Sequence, residues 1–492
     1  MSSSCLLTAE FLVFPFPAFL EVELVARTWT YCFARPRPCG FVPRSLVSGD
    51  AAGAGVWIGW LFQRTCHRGR RLGCRLAMAS IAIVGMTMPI PGRLGVAATP
   101  WPEFRGPTGD GVSQDRNLPL EWSEGRGVAW KTAIPGKAWS SPVVWDKLVW
   151  LTNATEDGTR LSAVAVACDS GQIVHDITVF EIAAPQFCHP FNSYASCTPV
   201  IEAERLYLHY GSAGTACLDT VSGKIIWSRQ DLPCNHFRGP GSSPILHGDL
   251  LIVALDGFDL QYAVALDKRT GKTVWRRDRN IEYGTTDGDA KKAYPTATVI
   301  RTKSGEQVVI PSAGATIAYD PASGEEVWRV RHGGMNASAR PLFAHGMVYI
   351  NTAAGGMKFL AVRPDGTGDV TSSQIAWKSS QGTGSRSSQL VLGERLFLVG
   401  DTGTASVLDA LGGKALSQKR LGGEFSASPI LADGRIYVSN QGGETFVLLA
   451  ADPSMVLATN TLDDGCMASP AVFDGAIYHR TKTHLYRLGD RP

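Results

Sequence analysis

Lysine is missing from the first 98 residues, which carry 10 Arg against 4 acids. The remainder holds 37 basic and 40 acidic side chains, so its charge is nearly balanced. A body without a cationic excess lacks the electrostatic footprint of a polyphosphate binder, which argues against nucleic acid as a partner. Adjacent cysteines are also missing, and so is any Cys-x-x-Cys-His run, so no covalently attached haem is encoded. Long unbroken apolar runs are scarce: Leu6–Leu20 is cut by proline and Ala51–Phe62 by glycine. Glycine (53) and proline (28) are plentiful by contrast, and they punctuate short apolar runs, a pattern of many turns and strands.

From Arg68 the order is basic, apolar, then small: RGRRLGCR, LAMASIAIVGMTMPI and PGRLGVAAT. This is the grammar of an export signal, with Val96-Ala97-Ala98 as the cleavage site, and residues 68–98 are assigned to a signal peptide or retained anchor. The apolar stretch is interrupted by Ser, Gly and Thr and is short for a membrane span. Any membrane association is expected through this segment only, with the mature chain in the periplasm or cell envelope. Residues 1–67 read as an extension of uncertain status, the expectation being that the true start lies near Trp60–Arg68.

Residues 99–127 form a loop-rich lead-in containing Trp101-Pro-Glu-Phe-Arg-Gly-Pro107, with no periodicity. Beyond it one sentence recurs. In YAVALDKRTGKTVWRRD, Tyr262 to Asp278, a strand meets a turn opened by Asp267 and closed by Gly271, and Trp275 follows on the next strand. The Asp bonds its own turn and the glycine supplies positive φ. Asp219, Gly223, Trp227 and Asp320, Gly324, Trp328 repeat the spacing. Eight such units run through residues 128–490, each entered by a small-residue strand at Ser141, Thr198, Ser243, Tyr294, Arg340, Ser388, Ser428 or Ser469. Four strands per roughly 45 residues is the arithmetic of a propeller. The last unit lacks its fourth strand, and the orphan strand Val128–Ile134 supplies it. The fold class is therefore all-β: an eight-bladed propeller of four-stranded antiparallel blades, closed by an N-terminal strand. Its tryptophans are expected to pack between blades as scaffold.

The motif A-x-D-x-x-T-G-K-x-x-W, here Ala265 to Trp275, resembles the repeat of pyrroloquinoline quinone (PQQ) dehydrogenases and their non-enzymatic relatives. WPEFRGP, NSYASCTPV and FSASPILADGRIYV are similar to exported PQQ-like propellers of planctomycete-type bacteria, themselves compared with the BamB-type assembly lipoprotein. The dehydrogenases of that family use adjacent cysteines and a calcium site, and this chain departs from the pattern at the cysteines. Asp256-Gly-Phe-Asp259 and Asp287-Gly-Asp289 offer oxygens but read as turn chemistry. No metal and no cofactor is expected; PQQ with calcium is the alternative the resemblance keeps open.

In a propeller the first strand of each blade lines the central channel. Lys292, Arg340 and Arg386 interrupt its column of small residues, and they either converge on an anion or pair with neighbouring acids. The loops ahead of units two and three add His189, Asn192, Tyr194, His236 and Arg238. The candidate ligand residues are Asn192, Tyr194, His236, Lys292, Arg340 and Arg386. Of the six cysteines after the leader, Cys188 and Cys197 flank one loop and are the expected bridge. The reading is an exported, non-catalytic binding scaffold whose partner is a cell-envelope protein or a small ligand. A quinoprotein-like oxidoreductase and a small-anion or sugar-acid binder are its competitors.

Overall fold

The computed structural model describes residues 98–381 and 384–490; residues 1–67 and all but Ala98 of the segment read as a signal lie outside the described residues. Eight antiparallel sheets follow one another. Blade 3 is representative, with strands Ile245–His247, Leu250–Asp256, Gln261–Asp267 and Thr273–Asp278 hydrogen-bonded in chain order. Its second and third strands are buried almost throughout, whereas the fourth alternates. Middle strands are covered on both faces by the adjacent blades, so they read as continuous apolar runs; the outermost strand keeps one face in water.

Closure is as expected. Blade 8 consists of Ala471–Phe473, Ala476–Arg480 and His484–Leu488, and Val128–Ala133 adds antiparallel to the last of these, with Lys131 opposite Tyr486. The edge that would otherwise invite intermolecular pairing is thereby filled. Blade 4 carries a fifth strand, Gly368–Asp369, which pairs in parallel with Glu326–Arg331.

The core lies between blades. Tyr207 and Cys217 of blade 2, for example, pack with Leu251, Val253 and Val264 of blade 3. The repeat motif makes the seam. Asp267 accepts hydrogen bonds from the Thr270 N–H and hydroxyl, both at 2.8 Å, and Gly271 adopts φ +72°. A Cβ on Gly271 would stand 2.5 Å from the ring of Trp227. Thus the glycine serves a second purpose, as the seat for the indole of the preceding blade. That indole donates to the Lys268 carbonyl at 3.0 Å. The contact recurs with Trp275 on Gly324, Trp377 on Gly413, and Trp130 of the closing strand on Gly171. Each indole N–H finds a carbonyl in the neighbouring turn, of Pro321, Ala410 and Cys168 respectively. Burying an aromatic ring with its polar edge satisfied is among the larger single contributions to a core.

Candidate functional site

The strands that line the channel are only three to five residues long, and each except that of blade 4 is preceded by a residue that donates its N–H to the next blade. The Ser141 N–H donates to Thr198 Oγ1 at 3.0 Å, Thr198 N–H to Ser243 Oγ at 2.9 Å, and Ser243 N–H to Thr296 Oγ1 at 3.2 Å. The series resumes with Arg340 N–H to Ser388 Oγ at 2.9 Å, Ser388 N–H to Ser428 Oγ at 3.0 Å and Ser428 N–H to Ser469 Oγ at 2.8 Å. Ser469 N–H to Ser141 Oγ at 3.1 Å closes the circle. Blade 4 enters this ring through Thr296 rather than Tyr294. The entry residue expected at Tyr294, before Pro295, thus lies two residues ahead of the ring position, and Arg340 is the sole non-hydroxyl member.

Beneath the ring lies the lead-in segment. Trp101 exchanges both backbone hydrogen bonds with Val144, Pro102 accepts from Ile201 N–H, and Gly111 accepts from Leu431 N–H. Val144, Ile201 and Leu431 each lie three residues beyond a ring hydroxyl, so the segment crosses the channel one step below the ring. Gly106 leaves room for the Trp101 ring, 2.7 Å from where a Cβ would be. Arg105, buried, donates to the Pro429 carbonyl at 3.2 Å and the Gln389 carbonyl at 2.7 Å. The channel is therefore a blind funnel of about 540 Å³, with Phe104 in its lining and Trp139, Phe191, Arg238, Tyr294 and Arg386 among its walls.

The three basic residues do not meet. Arg340 turns down into the lead-in segment, donating from Nη1 to Glu103 Oε1 at 3.1 Å and to the Phe104 carbonyl at 2.7 Å. Burial pushes the Glu103 carboxyl up, opposed by the Arg340 charge. Lys292, its side chain fully buried, is bound to Asp289 and lies over the Phe237 ring at 4.4 Å. Its hydrogen bond holds the Asp289 carboxyl below the usual range. Only Arg386 lines the funnel; it approaches Asp401 at 3.4 Å and the Phe191 ring at 4.9 Å. Pairing with neighbouring acids, not convergence on one anion, is what these bases do. Blades 6 and 2 stand opposite in the ring, so the contact between Arg386 and Phe191 spans the mouth.

The loop residues divide likewise. Asn192 lines the funnel, but its amide donates to the carbonyls of Arg238 and Pro240 at 2.8 and 3.1 Å and accepts from Ser196 Oγ at 2.6 Å. Tyr194 lies against Gly158 and the core between blades 1 and 2. His236 is buried, accepts the Ser212 N–H at 3.0 Å, and has its pKa pushed down to about 4 by burial. These three residues shape the loops. Sequence reasoning missed the ring hydroxyls as a set, Asn336, and the rim phenylalanines, of which Phe187 is 60% exposed and Phe191 40%. Small residues before prolines signal the ring; nothing local signals the rim.

All six described cysteines are free thiols, which overturns the expected Cys188–Cys197 bridge. Cys197 is fully buried beneath its loop, and burial raises its pKa to about 12, while Cys188 faces Gly239. Asp256 is consumed by a fully buried pair with Arg279, 2.8 and 2.9 Å long, and Asp287 caps the 3-10 turn Gly288–Lys291. Among the described residues no three His, Cys, Asp or Glu side chains stand together as metal ligands. Calcium takes six to eight oxygens, and the one acid lining the funnel, Asp401, already receives the Ser385 N–H at 2.8 Å. The residues present do not fit a calcium-bound quinone.

No curated protein matches the chain. Among solved structures, BamB from Moraxella catarrhalis superposes with a TM-score of 0.53 at 13% identity, covering 73% of this chain and 99% of that one. A europium-containing methanol dehydrogenase gives 0.56 at 11% identity over 78% and 90%. The quinohemoprotein alcohol dehydrogenase from Comamonas testosteroni gives 0.56 at 12% over 80% and 81%. Likeness at such identities speaks for the fold alone. A family model described as outer membrane protein assembly factor BamB matches residues 164–280 and 260–488. With the blade count, the seam motif and that match together, the chain belongs to the PQQ-like β-propeller repeat family.

Proposed function

We propose that this protein is an exported, non-catalytic scaffold that seats a cell-envelope protein on the mouth face of its funnel. The observation that carries the reading is an aromatic ridge on the rim. Phe187, Phe237 and Phe258 touch in series, with ring centroids 5.7 Å apart at each step, and are 60%, 37% and 37% exposed. Solvent-facing phenylalanines held in contact are costly to leave wet and are typical anchors of a protein interface. Rigid blades behind the loops hold them in place, which limits the entropy lost on docking. The family's description as an outer membrane protein assembly factor supports a partner in the envelope. The non-catalytic part rests on engaged chemistry in the funnel: His189 Nδ1 accepts the Phe191 N–H at 3.2 Å and Asp401 is held by Ser385 and Arg386.

Site-specific photocrosslinking in cells tests this. A photoreactive residue in place of Phe187 is expected to give a discrete adduct. The same residue in place of Val274, which is 50% exposed on the outer strand of blade 3, is expected to give none. Equal labelling at both positions, or adducts from Val274 alone, would sink the mouth-face assignment.

A further inference from the structure

The funnel has a chemical bias that a protein-docking face does not require. Each ring hydroxyl uses its oxygen to accept the N–H of the preceding blade, and no acceptor for its proton stands among the described residues. Six of these hydroxyls open into the cavity: Ser141, Thr198, Ser243, Thr296, Ser428 and Ser469. Arg238 and Arg386 line the same cavity; Arg238 is engaged through Nη2 alone, and Arg386 faces Asp401 through Nε at 3.4 Å while its two terminal nitrogens make no hydrogen bond among the described residues. Asn336 Oδ1 is a buried acceptor without a partner among the described residues, and the Asp401 carboxylate, whose contacts all run to Oδ1, adds a second open acceptor to the lining. Charge leans the same way, since Asp289 is shared between Arg238 and Lys292, and Asp401 receives Arg386 while also accepting a backbone N–H. An unsatisfied buried donor is costly, so a lining with more donors than acceptors favours an occupant rich in acceptors.

We infer that the funnel binds a small hydroxy-carboxylate of the sugar-acid class, its carboxylate on Arg386 and its hydroxyls on the serine and threonine ring and on Asn336. The volume of about 540 Å³ lies within the range of small-molecule pockets, about 300–1,000 Å³. Phe104 and the lead-in segment leave the mouth as the route in and out, and the Arg386 contact with Phe191 lies across that route. This site is independent of the aromatic ridge, so failure of one reading leaves the other standing.

Isothermal titration of the purified protein with glucuronate, and with glucose as the neutral counterpart, tests the assignment. Saturable binding of glucuronate, none of glucose, and at least about tenfold weaker glucuronate binding by Arg386→Gln are expected, as for loss of a charge-assisted contact. Inorganic sulfate separates the class: binding equal to that of glucuronate would overturn the role given to the hydroxyl ring. Equal affinity for glucose, or no heat with glucuronate at millimolar concentration, would overturn the site outright. A folded Arg386→Gln variant with unchanged affinity would do the same. Should that variant fail to fold, discrimination between glucuronate and glucose by the unmodified protein still decides the matter.

Discussion

Two arginines that lead into the inner strands of blades 5 and 6, Arg340 at the ring position and Arg386 two residues ahead of it, meet opposite fates. Arg340 at the floor is almost wholly buried and bound to Glu103, the Phe104 carbonyl and, at 3.2 Å, Thr298. Arg386 at the mouth retains 24% exposure, with one carboxylate at 3.4 Å and one aromatic ring for company. At the floor Arg340 is locked through both Nε and Nη1, whereas at the mouth Arg386 keeps its terminal nitrogens free among the described residues, beside exposed phenylalanines. At the ring position the lead-in segment reaches the arginine and makes it structural; two residues ahead of that position it does not, and the arginine stays available.

That contrast can be broken by substitution. Arg340→Ala leaves the Glu103 carboxylate buried without its partner, and about 3–5 kcal/mol of stability should be lost, as for breaking other buried pairs. Denaturant unfolding measures this directly, and a loss below about 1 kcal/mol would make the floor no more structural than the mouth. Acid sharpens the comparison next. His236 beside the mouth is neutral in the fold, its pKa depressed to about 4, and His209, His332 and His479 are depressed to about 3, 3 and 4 by burial. The unfolded chain binds protons at these sites from about pH 6.5 downward. Stability contributed by keeping them neutral is therefore complete above that pH and is lost as pH falls toward 3–4. The melting temperature should decline across that window, and His236→Gln should flatten the decline; an unaltered slope would remove His236 from the account. The smallest effect belongs to Arg386→Ala, where a partly exposed pair at 3.4 Å is worth about 0–1 kcal/mol. Thermal unfolding that matches Arg340→Ala in size would erase the distinction.

Much of the scaffold was legible because propeller repeats write the same physics eight times. The Asp turn, its glycine and the following tryptophan are local, and the orphan strand Val128–Ile134 could be matched to a unit short by one. The seam also accounts for degenerate copies. Ser417 stands where blade 6 would carry its tryptophan, and the facing turn of blade 7, Ala450–Pro453, has no glycine to seat one. Three things escaped. Pro295 mimics the proline of its neighbours and hides Thr296, because the ring is defined by hydrogen bonds across blades rather than by any residue beside it. The lead-in segment has no periodicity, and Arg105 finds its acceptors 324 and 284 positions away. Cys188 and Cys197 are near in sequence, but one faces Gly239 while the other is sealed in the core, so spacing alone misled.

Joining blade 8 from strands so far apart carries a kinetic consequence. Glu124 accepts from the Tyr486 hydroxyl 362 positions away, and Val128–Ala133 lies idle until His484–Leu488 has been made. Such non-local pairing is slow to nucleate. During synthesis the seven earlier blades must wait as an open arc, with the Trp130 seat on Gly171 empty, until the last strand arrives and lets the arc snap shut. Ring closure is therefore a late, all-or-none event, and a chain stalled before Leu488 would display two raw sheet edges, the very signal by which quality control can tell an unfinished molecule from a finished one.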